Sequence, residues 1–215
     1  MSAPVKSIRS AAAVAEAAAL IRAGELVIVP TDTIYGIVTL PLDAATIDRF
    51  YGVRHRKPEP AMPFLIDGID RMEALTRTTA TALRLAHRFW PGPLTLILPP
   101  AAELSATLRG YPIAVRVPNY PPLLPLMDAV GGRLLTTGAI LSGYPPAITA
   151  QEAVALFDEG IALILDGGPA PYGVPSTILD CVSEPPVVVR RGTLPESKIW
   201  HALGIEAPDV SAMAP

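Results

Sequence analysis

The stretch ELVIVPTDT, Glu25 to Thr33, decides the fold class. Its apolar run Leu26–Val29 is continuous rather than alternating. A strand with one wet face alternates apolar and polar residues, so an unbroken run belongs to a strand covered on both faces. Just upstream, residues 10–23 are Ala-rich and read as an amphipathic helix that Gly24 ends. A buried strand beside a covering helix predicts an α/β chain. The same Ala-rich stretch superficially resembles a signal peptide, but Glu16 interrupts its apolar part and no cleavage-like turn follows.

Working outward, LDAATIDRFYGVR reads as a helix with Asp43 as its N-cap. Ile47, Phe50, Tyr51 and Arg54 share one face of it, so Arg54 ends a core-facing stripe. Further helices are expected near 69–76 and 79–89, and a short one among the prolines of 118–125. TAQEAVALF opens with a capping box, Thr149 and Glu152. PLTLILPP, PIAVRVP, GRLLTT, IALILDGG, STILDCV and PPVVVRRG read as strands. Several of these lack an intervening helix. The expected architecture is therefore α/β of the α+β kind, a mixed sheet with helices packed on it. No linker or repeat divides the chain, so residues 1–205 are expected to form one domain, with 206–215 a disordered tail.

Composition narrows the function. Half of the 215 residues are hydrophobic and the mean hydropathy is +0.39. No run of about 18 uncharged apolar residues exists, so no membrane span is expected and the chain reads as cytoplasmic. A net charge of −3 argues against coating nucleic acid non-specifically but leaves room for a local basic cleft. The single cysteine, Cys181, sits in an apolar strand and reads as an inert buried thiol. Three histidines at irregular spacing give no metal site.

Several residues could hold an anion. PTDTIYG places Thr31, Thr33 and Tyr35 just past the first strand, though the segment equally reads as a turn capped by Asp32. RHRK supplies Arg54, Arg56 and Lys57 at a helix end, or else a solvated charge run. Arg116 lies inside an apolar strand and needs either a ligand or a carboxylate partner, because burying it unpaired costs several kcal/mol. Ser176 and Thr177 start a strand after a glycine turn, and Arg190 and Arg191 end another. There is no P-loop, no GxGxxG and no GxSxG.

In order along the chain, IVPTDTIYGIVT, Arg54-x-Arg56-Lys57-Pro58, WPGPLTLIL, AVRVP, LLTTGAILSG, DGGPAPYGVPSTILD and VVVRRG closely resemble the Sua5/YciO/YrdC family from about residue 8 to 200. WPGPLT and GVPSTILD are the most specific of these segments. The resemblance implies a YrdC-like twisted mixed sheet with helices around a concave basic cleft. It implies L-threonylcarbamoyladenylate synthesis, a nucleotidyl transfer from L-threonine, bicarbonate and ATP that releases pyrophosphate and supplies t6A37 of tRNA. ATP is then a substrate, and Mg²⁺ is expected with its phosphates. By the same likeness, Thr31, Tyr35, Arg116 and Ser176 would hold threonine. Arg54, Arg56, Thr137, Gly138 and Arg190 would face the nucleotide, with Arg54 and Arg56 as the catalytic cations.

The synthases of the family resemble one another in a K-x-R and a later S-x-N motif. This chain keeps Arg56 but has Arg54 in place of Lys, Gly138 in place of Ser and Ile140 in place of Asn. The Pro-rich loop 57–63 also looks longer, and both features resemble the YciO branch. Replacing Lys by Arg keeps charge but changes shape. Losing a hydroxyl and an amide that bond charged groups costs on the order of 1.5–3 kcal/mol each, or roughly 10² to 10⁴-fold together. Thr136 or Thr137 offers a replacement hydroxyl. A rival reading follows, in which the chain is a lapsed paralogue that binds nucleotide, tRNA or double-stranded RNA. A third, carbamoyl transfer from carbamoyl-adenylate as in larger proteins containing this fold, ranks last.

Overall fold

A computed structural model describes residues 2–40, 43–54, 61–105, 111–157 and 159–206. Ten strands are described: β1 (Val5–Ser7), β2 (Val27–Val29), β3 (Gly36–Thr39), β4 (Met62–Ile66), β5 (Leu94–Leu98), β6 (Ile113–Arg116), β7 (Arg133–Gly138), β8 (Leu163–Asp166), β9 (Thr177–Asp180) and β10 (Val187–Arg190). The described helices are α1 (Ala11–Arg22), α2 (Ala44–Gly52), α3 (Ile69–Leu75), α4 (Ala80–Phe89), α5 (Ala102–Ser105), α6 (Leu124–Ala129), α7 (Ala150–Leu156) and α8 (Glu196–Leu203). A 3₁₀ turn at Pro121–Leu123 leads into α6.

The strands form one mixed sheet in the order β1-β8-β2-β3-β7-β4-β6-β5-β9-β10. The ladders β1–β8, β2–β8, β4–β6 and β5–β9 are parallel, and the others are antiparallel. The run that opened the argument behaves as its pattern demands. Val27 and Val29 pack into one apolar cluster with Val14, Ala17 and Ile21 of α1 and Leu126 and Met127 of α6. Ile28 packs into the other, with α2, α3, α4, α7 and α8. Both faces of β2 are dry because successive side chains of a strand point to opposite faces.

The second layer does not run the full width of the sheet. In β5, β6 and β9, Leu96, Val115 and Leu179 enter the large cluster. Their neighbours Ile97 and Ala114 form only a small patch with Ala61, and Ile178 packs against it. Beyond α1 and α6 that face is a shallow floor, and the site lies on it. The predicted caps also form. Asp43 accepts from Thr46 N, and Thr149 Oγ1 accepts from Glu152 N. The Glu152 carboxylate reaches back to Ile148 N at 2.7 Å, one residue before the cap. Strands β1, β3 and β4 and helices α5 and α8 had no sequence assignment. His55–Pro60, with Arg56 and most of the Pro-rich loop, and residues 207–215 of the tail lie outside the described residues.

Candidate functional site

The side chains of the site come from strands and the loops beside their ends, with one, Arg54, from the end of a helix. Helix α2 is anchored by Phe50, which is fully buried and contributes roughly 1.5–3 kcal/mol. One turn later Arg54 comes off the same face and is only 2% exposed. Its Nη1 donates to Thr137 Oγ1 at the end of β7, and its Nε donates to Ile140 O at 3.3 Å. The Arg54 stripe therefore ends inside the protein, against the segment that carries Gly138 and Ile140.

Arg116 ends β6 and is 6% exposed. Of its two sequence readings the structure shows the carboxylate partner, and it also places Arg116 in the lining of a pocket. Nε donates to Gly92 O at 3.0 Å and Nη1 to Thr33 Oγ1 at 2.7 Å. Nη2 donates to Asp32 Oδ1. Burial pushes the guanidinium below its ordinary pKa, the Asp32 charge opposes that, and the nearby charge of Arg190 adds to it. Asp32, which the sequence presented as a turn cap, is the buried counter-charge. Its Oδ2 is buried and has no hydrogen-bond partner among the described residues.

The third cation comes from β10. Arg190 donates through Nε and Nη2 to Ser176 O at 3.2 and 2.8 Å, and through Nη2 to Ser176 Oγ at 3.2 Å. The Ser176 hydroxyl also meets Thr95 Oγ1 at 2.8 Å. Gly192 lets this crossing form, because any side chain there would run into the backbone of Pro175 and Ser176. Arg191 turns outward to Glu196, so it takes no part in the site.

Among the residues expected from the sequence, Thr31, Tyr35, Arg54, Arg116, Thr137, Gly138, Ser176 and Arg190 line one pocket. Arg56 is outside the described residues. The Thr31 hydroxyl donates to Ile34 O at 2.7 Å, and the Tyr35 hydroxyl donates to Gly168 O at 2.8 Å. Burial raises the Tyr35 phenol to about 12, so it stays protonated across the physiological range. Sequence reasoning missed Thr95, Asp32 as an ion-pair partner, and Ile34. Thr95 lies in WPGPLT, so the motif marked the segment without marking the residue.

The arrangement suits an anionic ligand: three guanidiniums line the space, no described lining residue is acidic, and the Asp32 carboxylate is paired with Arg116. The pocket holds about 100 Å³ of water-reachable space. Pockets for drug-sized molecules run to roughly 300–1,000 Å³. A small ligand fills this one, and a nucleotide would extend over its rim. Among the described residues no group of three or more His, Cys, Asp and Glu could hold a metal ion. Magnesium is ordinarily carried by substrate phosphates with one or two carboxylates. Among the described residues that line the pocket there is no carboxylate. No described helix is long and apolar enough to cross a membrane.

Known proteins are similar to this chain in sequence and fold. The sequence model of the Sua5/YciO/YrdC family, described as "Telomere recombination", matches residues 19–192. A threonylcarbamoyl-AMP synthase of Pyrococcus abyssi is 34% identical over 191 residues, covering 87% of this chain and 56% of the relative. One of Bacillus subtilis is 35% identical over 195 residues, covering 89% and 56%. The chain thus spans just over half the length of these two relatives. A putative threonylcarbamoyl-AMP synthase of Mycobacterium tuberculosis is 30% identical, with 90% of both chains covered. The structure of P. abyssi Sua5 complexed with L-threonine superposes with a TM-score of 0.84 at 32% identity, over 94% of this chain and 60% of that one. Escherichia coli YciO shares the fold, with a TM-score of 0.80 at 23% identity over 91% and 98% of the two chains. The pocket, its strand-end motifs and these relatives lead to one conclusion: the chain belongs to the Sua5/YciO/YrdC family.

Proposed function

We propose that this protein is an L-threonylcarbamoyladenylate synthase. It joins L-threonine, bicarbonate and ATP into threonylcarbamoyl-AMP, releasing pyrophosphate and water, for t6A37 of tRNA. The observation that carries the reading is the convergence of Arg54, Arg116 and Arg190 with Thr31, Thr137 and Ser176 on one pocket. The threonylcarbamoyl-AMP synthase relatives and the threonine complex of P. abyssi Sua5 support it.

The chemistry needs little from the protein beyond position and charge. The threonine amine forms a bond to the bicarbonate carbon, and water leaves to give a carbamate. A carbamate oxygen then bonds to the α-phosphorus as the bond to pyrophosphate breaks. Three anions must be held together while charge grows on phosphate oxygens, so fixed cations contribute most. In this reading Arg116, Thr31, Tyr35 and Ser176 hold the threonine. Arg54, Arg56, Thr137, Gly138 and Arg190 face the nucleotide. Arg116 suits a carboxylate because its fork is already oriented by Gly92, Thr33 and Asp32. Mg²⁺, where it arrives with ATP, supplies charge neutralisation at the phosphates.

A second reading, nucleotide binding without adenylate formation, is favoured by the apolar residues at positions 138 and 140. Double-stranded RNA is disfavoured because the described cations of the motifs turn into a pocket, while Arg191 pairs with Glu196. Transfer of labelled bicarbonate into an adenylate product, with threonine, ATP and protein each omitted in turn, tests the synthase reading. Label in the product only when all are present supports it, and no labelled adenylate refutes it.

A further inference from the structure

Two chains of hydroxyls in the pocket start on an arginine, and they end differently. Arg116 Nη1 donates to Thr33 Oγ1 at 2.7 Å, Thr33 Oγ1 meets Thr31 Oγ1 at 3.1 Å, and the Thr31 hydroxyl donates to Ile34 O at 2.7 Å. The Thr33 proton therefore lies between the two threonines, both protons are used, and the chain closes on a carbonyl. Arg190 Nη2 donates to Ser176 Oγ at 3.2 Å, and Ser176 Oγ meets Thr95 Oγ1 at 2.8 Å. Of the two protons on this pair, only one can lie between the oxygens. The other has no acceptor among the described residues. Both residues are buried, and both line the pocket.

The sheet sets Thr95 between the two cations. The β5–β6 ladder pairs Leu96 with Val115, so the next residue of each strand, Thr95 and Arg116, lie side by side. The β5–β9 ladder pairs Leu94 with Thr177 and Thr95 with Ile178, which brings Ser176, one residue before β9, to the other side of Thr95. Strand β10 sets Arg190 against Ile178. Thr95 and Arg116 are two residues from Ile97 and Ala114 of the floor, and residues two apart in a strand share a face. The row across these four neighbouring strands is Arg116, Thr95, Ser176, Arg190. The charge of Arg190 lowers the pKa of Arg116, as two cations sharing one site must do, and an anion between them relieves that repulsion.

We propose that Thr95 is a ligand-binding residue, whose hydroxyl donates to an oxyanion held between Arg116 and Arg190. That this oxyanion belongs to a substrate of adenylate formation rests on the synthase reading. A hydroxyl that accepts from a guanidinium is polarised to donate in turn, so the chain runs from Arg190 through Ser176 to Thr95 and ends on the ligand. Arg116 and Ser176, the neighbours of Thr95, hold threonine in the proposed function, so its carboxylate is the oxyanion expected here.

Thr95→Val, which keeps the branched shape without the proton, and Thr95→Ser, which keeps the proton, test the assignment. Both are compared with native protein by urea denaturation and by calorimetric titration with L-threonine, ATP and inorganic phosphate. Thr95→Ala, which removes the same proton with less bulk, repeats the measurement if valine impairs folding. Thr95→Val is expected to bind L-threonine about tenfold or more weakly while folded, the loss of one hydrogen bond to a charged group, and Thr95→Ser to bind it nearly as natively. A loss confined to ATP and phosphate upholds the contact and gives the oxyanion to the nucleotide. Phosphate binding weakened in Thr95→Val, in a protein that binds neither L-threonine nor ATP, upholds the contact and removes the synthase reading. Native affinity of Thr95→Val for both L-threonine and ATP overturns the proposal alone. Equal losses in Thr95→Val and Thr95→Ser overturn it as well, because shape and not the proton then sets affinity. A native protein that binds none of the three overturns the proposal and the synthase reading together.

Discussion

The guanidinium of Arg116 donates to Oδ1 of Asp32, 84 residues earlier in the chain, while Oδ2 of that carboxylate stays buried without a hydrogen-bond partner among the described residues. A buried pair that also lines the pocket links stability and ligand binding in one contact. Replacing Arg116 with Ala leaves the Asp32 charge buried and uncompensated, which costs about 3–5 kcal/mol. Urea denaturation should show that loss, and calorimetry with L-threonine should show no binding under conditions where the variant is still folded. Asp32→Asn, which keeps the volume and the Gly92 and Thr33 bonds of Arg116, should lose less stability. A fully stable Arg116→Ala protein that still binds threonine contradicts the assignment.

Arg190 is exposed and grips the backbone of Ser176, so its removal should spare the fold. Its loss should lower kcat/KM for ATP by roughly 10- to 100-fold, the equivalent of one charged hydrogen bond. Arg190→Lys should recover only part of this, because an ammonium cannot place two donors on Ser176 O. Steady-state kinetics against ATP measures both variants, and unchanged kinetics in Arg190→Ala removes the residue from the site.

Stability should fall at alkaline pH in two stages. Burial raises Cys181 from 9.0 to about 12 and Tyr35 from 10.0 to about 12. Both groups lose their proton first in the unfolded chain. The unfolded state therefore binds fewer protons across that window, and stability drops as pH rises through it. Denaturation midpoints taken from pH 8 to 12 should decline from about 9 and more steeply above 10. Tyr35→Phe should flatten the second stage only. A pH-independent midpoint would show that neither group is buried as described.

The same burial makes Cys181 inert. A thiol titrating near 12 carries almost no thiolate at neutral pH. A disulfide-exchange reagent should label it only after denaturant is added. Rapid labelling of the native protein would contradict the packing around β9.

How much was legible in advance follows from what each residue needed. The unbroken run Leu26–Val29 carried its two-sided burial in its own pattern, and the helix stripe ending in Arg54 carried its direction. Most of the pocket residues were legible as motifs, because they sit at or beside strand ends where the backbone turns, and Arg54 was legible as the end of a helix stripe. The partners were not. Asp32 follows β2 and Arg116 ends β6, strands separated in the sheet by β3, β7 and β4, so their contact depends on a strand order that local pattern does not encode. Ile34 was invisible for a similar reason: it lies beside Gly138 in the pocket lining through the antiparallel pairing of Gly36 with Gly138. Strand β1 has only three exposed residues, too few to show any period.

The most direct test of the central claim is pyrophosphate release by the native protein with ATP, bicarbonate and Mg²⁺, with and without L-threonine. Arg116→Ala runs beside it as the pocket control. The account predicts release that depends on threonine and is lost in the variant. Release that is indifferent to threonine, or no release at all from native protein that binds ATP, would contradict it and leave nucleotide binding without adenylate formation as the function of the pocket.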